Sequence, residues 1–281
     1  MFDTALVALD LSPAEEPLFN CLPDLMNWGI KKVILTHVIQ VSYHQFSGYG
    51  HDDEYHAWLE KLAQPLRASG LDVEVRVRIS GVPAEEILAA ATEYGADLIV
   101  IGSRGYNLIS KLFLGSVARA VIQKTTLPLL LEWVESTAIG TRQKCAAVCT
   151  NTLRHVLLAT DFSTSAAAAE AAAIHLALKA EQVDCIYVME ATDSTATSLS
   201  ASHAQGALNA LGQRIEAAGS RGNNLVLKGK ASSEIARYAS SQDASLIVVG
   251  KRGQNPLASL LIGSTAANLC EIAGRPVLMV P

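Results

Sequence analysis

Short apolar runs alternate with longer segments of mixed polarity along the whole chain. Two of these runs, Leu98–Ile101 and Leu246–Val249, contain no polar residue and are each followed directly by a glycine. Completely apolar strands that alternate with helical segments are typical of a parallel sheet covered by helices on both faces. The pattern therefore predicts an α/β protein with doubly wound sheets, in which ligands bind beyond the carboxyl ends of the strands.

The same order of elements is predicted twice. In the first half we expect strands at about 4–10, 32–39, 72–79, 97–102 and 128–133, and helices at about 13–29, 54–69, 83–94 and 115–125. Gly70 and Gly95 stand where helices should end, and Pro83 stands where one should begin. In the second half strands are expected near 155–161, 183–189, 224–229, 245–250 and 276–280.

A pattern of glycines also occurs twice in the sequence. Gly102-Ser-Arg-Gly105 is followed after nine residues by Gly115-Ser116, and Gly250-Lys-Arg-Gly253 is followed after nine residues by Gly263-Ser264. The same spacing of 148 positions relates Gly81 to Gly229 and Pro128 to Pro276. A repeat of this length predicts two tandem domains, 1–134 and 154–281. The polar segment 135–153 between them is interpreted as a linker that could include a short helical piece.

Composition narrows the classes of function. Of 281 residues 50% are hydrophobic and 17% charged, and the net charge of −5 argues against a general nucleic-acid binder. No apolar run approaches about 18 residues, so no membrane span is predicted. The first residues lack a basic region, so no signal peptide is predicted and we expect a cytoplasmic protein. Five scattered cysteines predict no disulfide framework; buried or linker thiols are expected, with a redox or metal role as the alternative.

Two aspartates and the two glycine patterns carry the candidate chemistry. Asp10 and Asp161 each end a first strand, where a carboxylate can accept hydrogen bonds from a ribose hydroxyl or a base amine. The alternative is that each caps the next helix. Glycines let the backbone approach an anion, and the N–H groups of a helix start point toward it, so the pattern predicts a phosphate site. The alternative is a surface loop that needs positive φ at Gly102 and Gly105.

The polar residues of the two patterns admit the same two interpretations. Ser116 and Ser264 can cap the final helix, bond a phosphate oxygen, or do both. Arg104 and Arg252 occupy the same loop position and can pair with phosphate through the planar guanidinium, or remain solvated.

Strand-Asp-x-Ser at the start of each half, with Gly-x2-Gly-x9-Gly-Ser after its fourth strand, resembles the universal stress protein family in its tandem, ATP-binding form. The resemblance implies a Rossmann-like sheet of five parallel strands in the order 3-2-1-4-5, with ATP, ADP or AMP at the strand carboxyl ends, with or without Mg²⁺. It implies contacts with the nucleotide from Asp10, Val38, Gly102, Arg104, Gly105, Gly115, Ser116, Val117, Asp161, Val188, Gly250, Arg252, Gly253, Gly263, Ser264 and Thr265. It also implies pairing of final strands edge to edge, within one chain as a pseudo-dimer of the two domains and between chains as a homodimer.

Motifs of other nucleotide enzymes are missing. The sequence contains no Gly-x4-Gly-Lys-Ser/Thr, and no Gly-x-Gly-x-x-Gly follows the first strand. Phosphoryl transfer needs a positioned nucleophile and a metal carboxylate, which Asp10 and Arg104 do not supply. We therefore expect a stress-response regulator or sensor whose bound nucleotide controls conformation or the binding of a regulatory protein. A slow ATP hydrolase or nucleotidyl-transfer enzyme and a nucleotide-free scaffold are the alternatives.

The predicted sites differ in the segment that follows the second strand. The residues from Val41 to Tyr55 are polar and aromatic and include His44 and His51, which suggests a mobile loop or a metal site. The corresponding residues Thr192–Ser202 are rich in Ser, Thr and Ala. The pattern fits ATP, ADP, AMP and a cyclic nucleotide alike, because base and ribose contacts are shared.

Overall fold

The computed structural model describes residues 1–10, 12, 15–41, 52–103, 114–139, 142–147, 151–190, 200–253 and 262–281. For 135–139 and 142–147 only the backbone is described. These residues form two compact units, Met1–Ala147 and Val148–Pro281. Each unit is an α/β domain built around a parallel sheet of five strands.

The first unit has the predicted strand order. Its strands are β1 (Thr4–Leu9), β2 (Lys32–Gln40), β3 (Asp72–Ser80), β4 (Leu98–Gly102) and β5 (Leu129–Glu132), and its helices are α1 (Glu15–Cys21), α2 (Asp52–Ala68), α3 (Pro83–Glu93) and α4 (Ser116–Lys124). All pairs are parallel, in the order β3-β2-β1-β4-β5. Gly70 and Gly95 have positive φ at helix ends and Pro83 begins α3, as predicted.

The central strands form the core because they are apolar on both faces. Leu6, Ile34, Ile99 and Leu130 are completely buried, and each lies within a strand that is predominantly apolar. Burial of such a side chain contributes about 1.5–3 kcal/mol to folding. The fully apolar run Leu98–Ile101 therefore identifies β4 as a buried central strand.

The first predicted helix, 13–29, has two parts in the structure. α1 ends at Cys21, and a 3-10 helix (Leu22–Trp28) continues it to Gly29. Pro23, the second residue of this segment, has no N–H to donate and its ring disfavours a regular α-helical turn, so the tighter 3-10 form replaces it. Gly29, at φ 95°, ends the segment.

The segment after β5 is a β-hairpin rather than the short helix considered from the sequence. β6 (Val134–Ile139) pairs antiparallel with β7 (Arg142–Ala147), and the backbone of β7 lies against α1. The hairpin belongs to the first unit and stands at the carboxyl end of β5. It therefore lies on the side of the sheet where the strands β1, β4 and β5 end.

The second unit repeats the first. Its strands are β8 (His155–Ala159), β9 (Gln182–Met189), β10 (Asn224–Lys228), β11 (Leu246–Gly250) and β12 (Val277–Val280), and its helices are α5 (Ala167–Leu176), α6 (Ala201–Ala218), α7 (Ala231–Ser241) and α8 (Ser264–Ile272). The strands are parallel in the order β10-β9-β8-β11-β12. The predicted order 3-2-1-4-5 is thus confirmed in both units.

A buried polar cluster distinguishes the second unit. The carboxylate of Asp184 on β9, which is 0% exposed, accepts hydrogen bonds from His155 Nε2 (3.0 Å), Tyr238 Oη (2.9 Å), Gln182 Nε2 (3.0 Å) and the backbone N–H of Asn223 (2.7 Å). Burial alone would raise the pKa of Asp184, but these donors hold it well below its usual value. The cluster lies near the amino ends of β8 and β9, opposite the candidate site.

Candidate functional site

The candidate site of the first unit lies where three neighbouring strands end. Asp10 follows β1, Val38 lies near the end of β2, and Gly102 is the last residue of β4. The register that pairs Leu9 with His37 places Asp10 next to Val38. The Asp10 Oδ1 accepts a hydrogen bond from Ser12 N at 3.1 Å, which forms a local turn and orients the carboxyl group.

The start of α4 supplies N–H donors at the same edge. Gly115 is the N-cap of α4, and no side chain makes a capping hydrogen bond there, so Ser116 is the first helical residue and not the cap. The first amides of a helix have no partner within the helix and carry a partial positive charge. The first turn of α4 is therefore able to bind an anion such as phosphate.

The buried imidazole ring of His37, which packs against two aromatic rings, lies near Asp10, and His37 directly precedes Val38 in the chain. The His37 Nδ1 donates to the carbonyl oxygen of Leu9 at 2.8 Å, and its ring stacks on Tyr55 with 4.9 Å between centroids. Trp58 meets the same ring edge-on at 5.6 Å. Burial lowers the pKa of His37, so the neutral imidazole is favoured at pH 7. These rings attach the start of α2 to the end of β2 and fix the wall beside Val38.

The second unit shows why its aspartate and its glycines belong together. Asp161, the second residue after β8, accepts a hydrogen bond from Ser163 N at 3.0 Å and so orders its own loop. Ala166, and not Asp161, occupies the N-cap position of α5. A Cβ added to Gly253 would lie 2.5 Å from Asp161 Oδ2. A side chain at position 253 would therefore push this carboxylate out of its present position.

The other two glycines of this pattern also lie close to neighbouring backbone, Gly250 more tightly than Gly263. A Cβ on Gly250 would lie 3.0 Å from the carbonyl oxygen of Arg252, and one on Gly263 would lie 3.4 Å from that of Lys251. None of these glycines has positive φ among the described residues, and neither does Gly102, so the alternative based on positive φ is wrong for Gly102. Close packing at Gly250 and Gly253 favours glycine at these two positions.

The start of α8 matches that of α4. Gly263 is the N-cap without a side-chain cap, and Ser264 and Thr265 are the first helical residues. The Gly263 N–H donates to the carbonyl oxygen of Lys251 at 2.9 Å, which fixes the helix start against the residue after Gly250. Of the two interpretations of Ser116 and Ser264, capping of these helices is wrong, since both residues lie one position inside the helix.

The residues named from the sequence are placed as follows. In the second unit the structure brings Asp161, Gly250, Gly253 and Gly263 together, and Val188 lies near the end of the neighbouring strand β9. Arg252 is exposed. Arg104 and Gly105, as well as His44 and His51, lie outside the described residues, and so does most of Thr192–Ser202. Within the described part of the chain, no group of three or more His, Cys, Asp or Glu residues is arranged to hold a metal ion.

Sequence reasoning missed three buried polar residues near these strand ends. Ser103 and Lys251, the second residues of the two glycine patterns, are 3% and 5% exposed, and Glu132 at the end of β5 is 2% exposed. Burial, reinforced by the charge of Arg252, lowers the pKa of Lys251 to about 8. The two glycine patterns differ in their second residue, Ser103 in one and Lys251 in the other. This difference is visible in the sequence and could have drawn attention to both positions.

Comparison with known proteins agrees with the repeat. The profile of the universal stress protein family matches residues 1–131 and again 152–281, so the chain belongs to the universal stress protein family. A universal stress protein from Thermus aquaticus is 41% identical over 69 residues, and the universal stress protein YxiE of Bacillus subtilis is 40% identical over 73 residues. These matches include 25% and 26% of this chain, which spans about half the length of the curated relatives it matches.

A solved structure shows the same fold over the whole chain. A universal stress protein from Archaeoglobus fulgidus aligns with a TM-score of 0.74, covering 99% of this chain and 96% of its own, at 23% sequence identity. The tandem form of the fold is therefore shown. Among the helices that the structure describes, none is long and apolar enough to cross a bilayer.

Proposed function

We propose that this protein is an ATP-binding stress-response regulator that holds an adenine nucleotide at the strand carboxyl ends of each unit. The observation that carries the proposal is the second-unit arrangement of Asp161, Gly253 and the uncapped start of α8. A carboxylate that can accept from ribose hydroxyls stands beside N–H donors that suit phosphates. This combination fits a nucleotide better than an apolar ligand.

The roles proposed for individual residues follow from their positions. Asp10 and Asp161 accept hydrogen bonds from ribose, and the backbones of Val38 and Val188 lie beside the base. The first amides of α4 and α8 bind the phosphates, with support from Ser116, Val117, Ser264 and Thr265. Arg104 and Arg252 counter the negative charge of the phosphates, and Mg²⁺ can accompany the phosphates.

We propose regulation rather than catalysis, because neither described site contains an arranged nucleophile with a base. At most the protein hydrolyses ATP slowly. A cytoplasmic location, a homodimer and a regulatory protein partner belong to the same proposal. Light scattering during size-exclusion chromatography tests the homodimer.

The decisive test of the nucleotide is chemical. The purified chain is denatured, and the released small molecules are identified and quantified by mass spectrometry. We expect ATP, ADP or AMP at up to two per chain. Absence of any nucleotide, together with no thermal stabilisation by excess ATP, would contradict the proposal and favour a nucleotide-free scaffold. Rapid multiple-turnover release of ADP or AMP would favour an enzyme instead.

A matched pair of glycine variants tests the site itself. In Gly253→Ala the new Cβ collides with Asp161 Oδ2, so we expect ATP affinity of the second site to fall about tenfold, which corresponds to about 1.4 kcal/mol. Gly206→Ala is the control, since its Cβ would meet nothing within 4 Å on the helix α6. Calorimetric titration of both variants with ATP compares their affinities. A loss in Gly253→Ala alone shows that the local contact with Asp161 matters, whereas a loss in both variants shows a general effect of replacing glycine.

A further inference from the structure

Ser103 connects the glycine pattern of the first unit to the β6–β7 hairpin. Its backbone N–H donates to the carbonyl oxygen of Glu132 at 2.8 Å, and its Oγ accepts from the backbone N–H of Val134 at 3.1 Å. Its own carbonyl oxygen accepts from the N–H of Gly115 at 3.1 Å. We call these three hydrogen bonds the Ser103 link.

The link joins the anion-binding end of α4 to the first residue of the hairpin. Gly115 is the N-cap of α4, and Val134 is the residue at which β6 begins. The Ser103 side chain is buried, so water does not compete for the hydrogen bond with Val134. Breaking that bond would remove the buried acceptor that Ser103 provides to the Val134 N–H.

The second unit has only the backbone part of this arrangement. Lys251 N donates to Val280 O at 2.6 Å, and Gly263 N donates to Lys251 O at 2.9 Å. A protonated lysine side chain donates hydrogen bonds but accepts none, so Lys251 has no counterpart of the Ser103 Oγ acceptor. The side-chain hydrogen bond is therefore a feature of the first unit.

We propose that nucleotide bound to the first unit is read out by the β6–β7 hairpin through the Ser103 link. This inference rests on the proposed nucleotide site. Phosphate oxygens that bind the first amides of α4 hold Gly115 in place, and Gly115 holds the Ser103 carbonyl group. The Ser103 hydroxyl then holds Val134, so occupancy of the site stabilises the docked start of the hairpin. The hairpin precedes the second unit in the chain, which makes it a suitable element for transmitting occupancy.

Linkage fixes the size of the effect in both directions. If ATP stabilises the docked hairpin by a given factor, the docked hairpin strengthens ATP binding by the same factor. Couplings of this kind are commonly about 5-fold or more. Removing the Ser103 hydroxyl should therefore weaken both effects together.

Hydrogen–deuterium exchange of the full chain, with and without saturating ATP, tests the inference. Peptides containing Ser116–Ala118 report the proposed phosphate site, and peptides containing Val134–Ile139 report the hairpin. In the wild type we expect ATP to slow exchange in both, by about 5-fold or more at the hairpin. In Ser103→Ala the slowing at the hairpin should fall below about 2-fold, while Ser103→Thr, which keeps a hydroxyl, should retain it.

The outcomes separate the inference from the proposed function. If ATP slows exchange at neither place, the nucleotide site itself is refuted and the inference fails with it. If ATP protects Ser116–Ala118 but not the wild-type hairpin, the link is refuted while the nucleotide site stands, a result that does not depend on whether any variant folds. If Ser103→Ala protects the hairpin as the wild type does, the Ser103 hydroxyl is not the connection.

Discussion

Glu132 provides the strongest stability prediction because it is a buried carboxyl group without full hydrogen bonding. Its Oε2 is buried and has no hydrogen-bond partner among the residues that the structure describes. Burial, reinforced by the negative charge of Asp24, raises the pKa of Glu132 from 4.5 to about 8. The folded first unit therefore keeps a proton at pH 7 that the unfolded chain releases. Replacing this residue by Gln removes the titration and nearly preserves the volume.

The sign and the size of the effect of Glu132 on the free energy of unfolding follow from the linkage between proton binding and folding. Below pH 4.5 the group is protonated in both states and its contribution to stability is fully present. As the pH rises toward 8 the unfolded chain gains by ionising, so the free energy of unfolding falls. A rise of the pKa from 4.5 to about 8 corresponds to about 5 kcal/mol at about 1.4 kcal/mol per pKa unit, and relaxation around the charge reduces this to about 2–5 kcal/mol.

Tryptophan fluorescence isolates the unit concerned. Trp28, Trp58 and Trp133 are the three tryptophans of the chain, and all belong to the first unit. Urea unfolding followed at their emission, at pH 5, 7 and 9, gives the free energy of unfolding of that unit. We expect Glu132→Gln to match the wild type within about 1 kcal/mol at pH 5 and to exceed it by about 2–5 kcal/mol at pH 9.

A surface glutamate is the matched control. Glu16→Gln makes the same chemical change at an exposed position of α1, and its difference from the wild type should stay within about 0.5 kcal/mol at every pH. The reasoning is refuted if Glu132→Gln differs from the wild type by the same amount at pH 5 and pH 9. It is also refuted if the control reproduces the pH dependence.

Three further predictions concern the second unit. Asp184→Ala leaves the donors of His155 and Tyr238 without their buried acceptor, so hydrogen–deuterium exchange of peptides from the second unit should show that unit destabilised by about 3–5 kcal/mol. A loss below about 1 kcal/mol would contradict the importance of the cluster. Because the pKa of Asp184 is lowered, its stabilisation is present above about pH 4 and is lost as the pH falls, so Asp184→Asn should flatten the acid limb of the stability curve, and an unchanged limb would count against this account. Gly253→Ala should weaken ATP binding about tenfold while Gly206→Ala does not, and equal affinities would remove Gly253 from the site.

Much of the fold is predictable because its central strands are mostly apolar and because single residues mark the helix boundaries. The runs that became β4 and β11 have no polar residue, and Gly70, Gly95 and Pro83 mark helix boundaries by their own backbone preferences. The hairpin was not predictable in the same way. Its strands are polar and of mixed pattern, so nothing local favours a strand over a loop or a short helix.

The candidate site was predictable in its positions but not in its contacts. Motif spacing identified Asp161 and Gly253, whereas their close approach depends on a fold that brings residues 92 positions apart together. Glu132 and the Asp184 cluster escaped prediction for the same reason. A glutamate at a strand end is ordinarily solvated, and the donors to Asp184 come from three separate parts of the chain.

The Asp184 cluster has a consequence for how a chain with two similar halves folds. At the corresponding place in the first unit stands the apolar residue Ile34, which is completely buried. If β9 were to pair by mistake within the sheet of the first unit, Asp184 would be buried without its donors, a cost of several kcal/mol. The two repeats share a topology, but this carboxylate disfavours β9 in the sheet of the first unit. It therefore disfavours misfolding in which a strand of one repeat replaces the matching strand of the other.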